Sequence, residues 1–162
     1  MNIVLKPITL NDDIDGLKVL DEIVKDEEIN GESPVPNCMD EYLYLGFLKL
    51  SEDEAKDDQN PCIRYWVMLD DKKIGYADIK KPKEKEDEFM VGNVGLILLK
   101  EYRKKGIGIK VFKLLIEKAK NDLKIEKVLI TTSKDNESMK KICEKLNAEE
   151  YNIDDNKSHY YL

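Results

Sequence analysis

Apolar residues follow two different spacings along this chain, and the change from one to the other marks out its elements. Ile3, Val4, Leu5 and Ile8 form a short apolar run that predicts a strand, closed by Pro7 and the polar cluster at 9–13. Ile14, Leu17, Leu20, Ile23 and Val24 then fall at steps of three and four, which predicts a helix over 14–24. Asn11, Asp12 and Asp13 stand ahead of it with capping oxygens and negative charge. Residues 30–37, with Gly31, Pro34 and Pro36, predict a loop, because proline removes donors and fixes φ. Tyr42, Leu45, Phe47 and Leu48 lie on a helical face within 39–50, and the acidic stretch 51–60 is expected to end that helix as a solvated loop.

From Cys62 the period shortens. Residues 63–69 and 74–79 predict two strands around the polar turn Asp70-Asp71-Lys72-Lys73, a hairpin. The charged run 80–88 leads into a strand over 90–99 that Gly92 and Gly95 interrupt, as at a bulge or a close backbone approach. Ile107, Val111, Leu114, Leu115 and Ala119 predict a long helix over 107–122, and 127–132 a β-branched strand. Asp135, Asn136 and Glu137 cap a helix with Met139, Ile142, Cys143 and Leu146 on one stripe. Strands near 149–153 and 158–162 close the chain. The order β α α β β β α β α β β gives the class α/β or α+β, a mixed sheet covered by helices.

At 162 residues and 41% hydrophobic, the chain is expected to be one domain over 1–162, since two halves would each struggle to enclose a core. Its 34 acidic against 27 basic residues give a net charge of −7, which opposes delocalised attraction to nucleic acid or anionic lipid. The first ten residues lack a secretory pattern and no stretch approaches the length of a bilayer span, so a cytoplasmic protein with no membrane partner is expected. Cys38, Cys62 and Cys143 are odd in number and far apart, which suits neither a disulfide framework nor a zinc site; reduced thiols and no metal are expected. His159 is the only histidine, and it sits beside Tyr160 and Tyr161 as a strand neighbour would.

The sharpest local signal is Tyr102-Arg103-Lys104-Lys105-Gly106-Ile107-Gly108-Ile109-Lys110, between a strand and an amphipathic helix. Glycines at a helix start let the backbone bend close to a ligand, and the unpaired N–H groups of the first turn attract anionic oxygens. Arg103, Lys104 and Lys105 add formal positive charge there. A tight strand-to-helix turn with solvated lysines would show the same letters. Among phosphate sites, a P-loop is absent, and a dinucleotide fingerprint needs a third small residue where this chain has Val111 and sits earlier in its fold. A pyrophosphate cradle of the pattern Arg/Gln-x-x-Gly-x-Gly/Ala is matched by Arg103, Gly106 and Gly108.

At these residues the chain resembles the GNAT superfamily of acetyl-CoA-dependent N-acetyltransferases, over nearly its whole length. Residues 98–108 resemble the family's motif A, and Asp135-Asn136-Glu137-Ser138 after Val128-Leu129-Ile130-Thr131-Thr132 its motif B. Pro36-Asn37-Cys38-Met39-Asp40-Glu41-Tyr42 and Tyr65-Trp66-Val67 are similar to a bacterial subgroup of acetyltransferases. The resemblance implies a mostly antiparallel central sheet of six to seven strands flanked by about four helices, the strand over 90–99 being the family's bulged fourth strand. It implies acetyl transfer from acetyl-CoA to an amine of a small molecule or peptide, in a ternary complex, and it admits a homodimer. Backbone N–H groups of Arg103, Lys104, Lys105, Gly106, Ile107, Gly108 and Ile109 would hold the pyrophosphate. Ile97, Leu98 and Leu99 would pair with the pantetheine amides like an added strand, and Asn136 would lie near that arm.

An amine must lose a proton before it attacks, and the departing thiolate must gain one. The family's usual acid, a tyrosine seven residues after the motif B asparagine, corresponds here to Cys143, which is either a thiol donor or a core residue of the Met139/Ile142/Leu146 stripe. Within 90–99 there is no glutamate to act as base. Asp78, Glu41 and Tyr44 are candidates by position, each with an ordinary surface or packing role as the alternative, and a water relay serves equally. Glu32, Asp40 and Glu41 would make an acidic cleft suited to a cationic amine, if they are not simply solvated. Two other functions fit the same letters: an acyl-CoA-binding sensor without catalysis, and a nucleotide-binding Rossmann-like domain.

Overall fold

A computed structural model describes residues 1–26, 28, 38–81, 92–153 and 155–162 of the chain. The expected loop at 30–37, Glu32, and the charged run beyond Lys81 with Met90 and Val91 lie outside the described residues. The elements run β1 (Ile3–Pro7), α1 (Asp15–Val24), α2 (Glu41–Ala55), β2 (Cys62–Leu69), β3 (Lys72–Lys80) and β4 (Val94–Leu98), then α3 (Ile107–Asn121), β5 (Leu129–Ser133), α4 (Glu137–Lys145), β6 (Glu149–Ile153) and β7 (Lys157–Tyr161). A 3-10 turn, Lys100–Tyr102, joins β4 to the turn before α3. The strands form a four-stranded sheet in the order β1-β2-β3-β4 and a three-stranded sheet in the order β5-β7-β6. All pairings in both are antiparallel.

Alternation along β2 and β3 divides the core into two layers. Tyr65, Val67, Ile74, Ala77 and Ile79 pack on one face with Val111, Phe112 and Leu115 of α3. Trp66 and Tyr76, pointing the other way, pack with Val19 and Leu20 of α1 and with Tyr44, Phe47 and Leu48 of α2. Each face is therefore covered by helices whose apolar stripes the sequence already shows.

Three expectations need correction. The acidic stretch does not end the second helix at residue 50: α2 runs on to Ala55. Buried Ser51 turns inward and donates its hydroxyl to the Phe47 carbonyl (2.7 Å), and Lys49–Asp53 (2.8 Å) and Lys56–Glu52 (3.3 Å) pair across single turns. The polar residues before α1 do not cap it, since Ile14 is the cap residue and has no side-chain bond. Asp12 instead accepts from the Thr9 N–H (2.8 Å), and Asp13 pairs with Lys73. The fourth strand is paired without a register break over Val94–Leu98, and the irregularity lies ahead of it at Gly92, whose φ is +69°.

Among the described residues, Asn93 and Leu129 join the two sheets by hydrogen bonds. The Asn93 N–H donates to the Leu129 carbonyl (2.7 Å), and Asn93 Oδ1 accepts from the Leu129 N–H (2.8 Å). Among the described residues no ladder continues from there between β4 and β5. Among the described residues, therefore, no strand pairs with the edge of β4 away from β3.

Candidate active site

Main-chain geometry decides which groups of β4 line that edge. Leu99 N–H donates to the Ile74 carbonyl (2.9 Å), and the Asn93 carbonyl accepts from Lys80 N–H (2.8 Å). An antiparallel strand directs the polar groups of alternate residues to one side. Ile97, between those two odd-numbered positions and opposite Tyr76, thus spends its groups on β3, while Val94, Leu96 and Leu98 face away from it. Of the expected Ile97, Leu98 and Leu99, this register leaves only Leu98 with main-chain groups directed away from β3, as it does Leu96, and the Leu98 carbonyl is taken by the Arg103 side chain. Leu96 escapes a reading of the sequence because the phase of a strand is fixed by its partner and not by its own letters.

Beyond β4 the chain makes a sharp turn into α3. Lys104 (φ +57°) and Gly106 (φ +75°) both take left-handed backbone conformations, and Gly106 ends the turn as the helix cap. No side chain caps α3 and no acidic residue occupies its first turn. The N–H groups of Ile107, Gly108 and Ile109 therefore have no intrahelical acceptor. Gly108 packs against β4 and α4, where an added Cβ would come within 3.2 Å of Ile142 Cδ1 and 3.9 Å of Leu96 Cδ2. Lys104 and Lys105 are exposed beside this helix end, and Lys105 Nζ stands 5.9 Å from the centroid of the Tyr102 ring.

Arg103 is differently placed from those two lysines. Its Nε donates to the Leu98 carbonyl (2.9 Å), and its terminal nitrogens pair with Asp26 (2.6 Å) and Glu28 (3.3 Å). Lys100 reaches Glu28 as well (2.8 Å), and holds that carboxyl below its usual range. A cavity of about 530 Å³ adjoins these groups, lined by Glu22, Ile23, Asp26, Leu99, Lys100 and Arg103 among others. Neither Asp26 nor Glu28 stands out in the sequence.

Of the candidate acid–base residues, Asp78 lies nearest the open strand. It is opposite Gly95 of β4, its side chain is 16% exposed, and its Oδ1 is buried with no hydrogen-bond partner. Lys80 Nζ lies 3.2 Å from that oxygen, within ion-pair distance but off the hydrogen-bond direction. Glu41 is exposed in the first turn of α2, after Asp40, which caps that helix by accepting from the Leu43 N–H (2.8 Å). Tyr44 is buried and donates its hydroxyl to the Asp13 carbonyl (2.6 Å), and burial pushes the phenol up to about 12. It is a packing residue that anchors α2 to the start of α1. Cys143 is fully buried in the layer under α3 and α4, where burial raises its thiol to about 11. Asn136 caps α4, accepting from the Met139 N–H (3.0 Å), and is exposed at that helix's amino end. His159 is buried on β7 opposite Thr131.

A family model described as the acetyltransferase (GNAT) domain matches residues 2–149. The chain belongs to the GNAT acetyltransferase family. Solved GNAT structures share its fold from end to end. The Campylobacter jejuni N-acetyltransferase PseH in complex with acetyl coenzyme A is 20% identical, with a TM-score of 0.69 over 99% of this chain and 98% of that one. RimL, a ribosomal L7/L12 alpha-N-protein acetyltransferase in complex with coenzyme A, is 10% identical with a TM-score of 0.75, over 100% and 94%. A chimera of the spermidine N-acetyltransferase SpeG from Vibrio cholerae and hSSAT is 13% identical with a TM-score of 0.72, over 100% and 95%. No curated protein sequence matches the chain. Among the described residues of this GNAT chain, no group of three or more His, Cys, Asp or Glu is placed to hold a metal ion, and no helix is long and apolar enough to cross a membrane.

Proposed function

We propose that this GNAT protein moves an acetyl group from acetyl-CoA to a primary amine by direct attack in a ternary complex. The observation that carries the reading is the edge of β4 that no described strand pairs, with Leu96 and Leu98 facing away from β3, continuous with the uncapped amino end of α3. An amide-bearing arm laid along β4 finds strand-like partners, and a pyrophosphate at its end meets the N–H groups of 107–109 and the positive end of the helix dipole. The acetyl-CoA complex of PseH, similar in fold, supports the same donor here.

The amine requires a base. Asp78 is the proposed one, because its carboxylate lies opposite the side-chain-free Gly95 of β4 and keeps an oxygen without a hydrogen-bond partner. An ammonium arriving there would be attracted by the carboxylate and then deprotonated by it, directly or through one water. The amine would then attack the thioester carbonyl, the C–S bond would break, and coenzyme A would leave with a proton. Glu41, at the exposed start of α2, would act on the charge of the acceptor and not on its proton.

One observation favours a second reading, an acyl-CoA sensor: the residue at the family's tyrosine position is a buried cysteine. Calorimetry with coenzyme A, followed by thiol release from acetyl-CoA with a panel of diamines, amino sugars and peptide amines, separates the two. An acetyltransferase releases thiol with at least one amine class, whereas a sensor binds coenzyme A and releases none. Failure of the protein to bind coenzyme A at all would sink both.

A further inference from the structure

Arg103 occupies the first position of the cradle pattern, yet its side chain turns away from α3. All three guanidinium nitrogens are engaged: Nε with the Leu98 carbonyl at 2.9 Å, the other two with Asp26 at 2.6 Å and Glu28 at 3.3 Å. Asp26 follows the end of α1, where its N–H donates to the Ile23 carbonyl (3.2 Å), and Leu98 is the last residue of β4. One side chain therefore ties the end of α1, remote in sequence, to the end of β4 and the turn that opens α3. Lys100 adds a second cation on Glu28 at 2.8 Å.

We propose that Arg103 is a positioning residue, fixing the turn of the coenzyme A cradle to the end of α1, and that it does not bind phosphate. The Asp26 side chain is 10% exposed and that of Arg103 24%. To reach a pyrophosphate, the guanidinium would have to leave a nearly buried carboxylate without its closest partner, which is costly. Lys104 and Lys105, exposed and beside the same helix end, supply positive charge without that penalty. The shape of the contact also suits arginine: a rigid fork satisfies a carbonyl and two carboxylates at once, where a lysine would offer a single point charge.

The inference rests on the cradle reading above, so the test has one arm that uses coenzyme A and one that does not. With the full chain and coenzyme A alone in the calorimeter, Arg103→Lys and the isosteric Asp26→Asn should each weaken binding about three- to tenfold, with the double variant no worse than the weaker single one. In the unliganded protein both variants should speed amide hydrogen exchange at 20–26 and at 98–109 together. A phosphate ligand behaves oppositely. Arg103→Lys would then bind within about twofold of wild type, and Asp26→Asn, which frees the guanidinium, would bind more tightly; either result overturns the proposal. Unchanged exchange at the end of α1 in Arg103→Lys overturns it independently of any ligand. If wild type fails to bind coenzyme A while exchange rises at both ends, the cradle reading falls and the tie stands.

Discussion

The carboxylate of Asp78 rests against the bare α-carbon of Gly95. The two residues are direct partners across β3 and β4, and a Cβ at position 95 would stand 3.0 and 3.1 Å from the two carboxylate oxygens. The absence of a side chain on β4 is what lets a β3 carboxylate lie beside the open strand. The proposed base and the proposed donor channel thus share one register.

Gly95→Ala should therefore displace the carboxylate while leaving the main-chain edge of β4 intact. Its coenzyme A affinity should stay within about twofold of wild type while turnover falls on the order of tenfold or more. Asp78→Asn, which keeps the shape and removes the base, should cost roughly 100-fold in turnover, in line with general-base catalysis. Steady-state kinetics beside calorimetry read both. Turnover in Asp78→Asn within about threefold of wild type would place the base elsewhere.

How far the sequence discloses such a site depends on the range of the interaction. The turn at Gly106 and Gly108 is legible because its cause is local, a backbone that must take positive φ and approach a neighbour closely. The Asn136 cap is legible for the same reason. The extension of α2 through Ser51 is not, since its acidic letters suit a solvated loop until the Ser51 hydroxyl bonds back to Phe47 and the residue is buried. The partner of Arg103 lies 77 residues away, and nothing in the local pattern points to Asp26. Leu96 becomes visible only once β3 fixes the phase of β4.

At the amino end of α3 the two glycines should fail in different ways. An added Cβ at Gly106 meets nothing within 4 Å, so Gly106→Ala is strained only by its φ of +75°, at about 1–2 kcal/mol. It should lower the melting temperature and weaken coenzyme A modestly. Gly108→Asp asks only the flexible end of Ile142 to yield, and should fold. Its carboxylate would sit where a pyrophosphate is expected and should abolish coenzyme A binding, a larger loss than that in Arg103→Ala. A folded Gly108→Asp chain with wild-type affinity would remove the cradle from this turn.

Stability and activity should separate at Asn136. Its Oδ1 accepts from the Met139 N–H at 3.0 Å, and Asn136→Asp keeps that oxygen, so the melting temperature should hold. Turnover should fall several-fold, because the amide donor is lost and a negative charge is placed near the donor arm. Asn136→Ala should show the reverse emphasis, with the helix cap lost at about 1 kcal/mol. Equal melting temperatures for the Asp and Ala variants would contradict the capping role.

Cys143 is where the family pattern and the packing differ most. The thiol is fully buried, and burial raises it from an ordinary value of 9.0 to about 11, with Glu144 adding to the shift. It is protonated at neutral pH, as an acid must be, but it belongs to the closed layer that also holds Val111, Phe112 and Tyr160. Packing should dominate. Cys143→Ala should keep turnover within about tenfold of wild type, since a general acid is worth roughly 100-fold or more. Cys143→Tyr should overpack the layer and destabilise by about 1–3 kcal/mol. The raised thiol also sets a pH dependence of stability. Because the folded value exceeds the unfolded one, its contribution is fully present below pH 9 and is lost as pH rises toward 11, a change on the order of 2 kcal/mol. Between those limits wild type should lose stability in urea more steeply than Cys143→Ala, even though it starts out the more stable of the two. Parallel curves would mean that the thiol is solvated, and a hundredfold loss of turnover in Cys143→Ala at unchanged coenzyme A affinity would make it the acid.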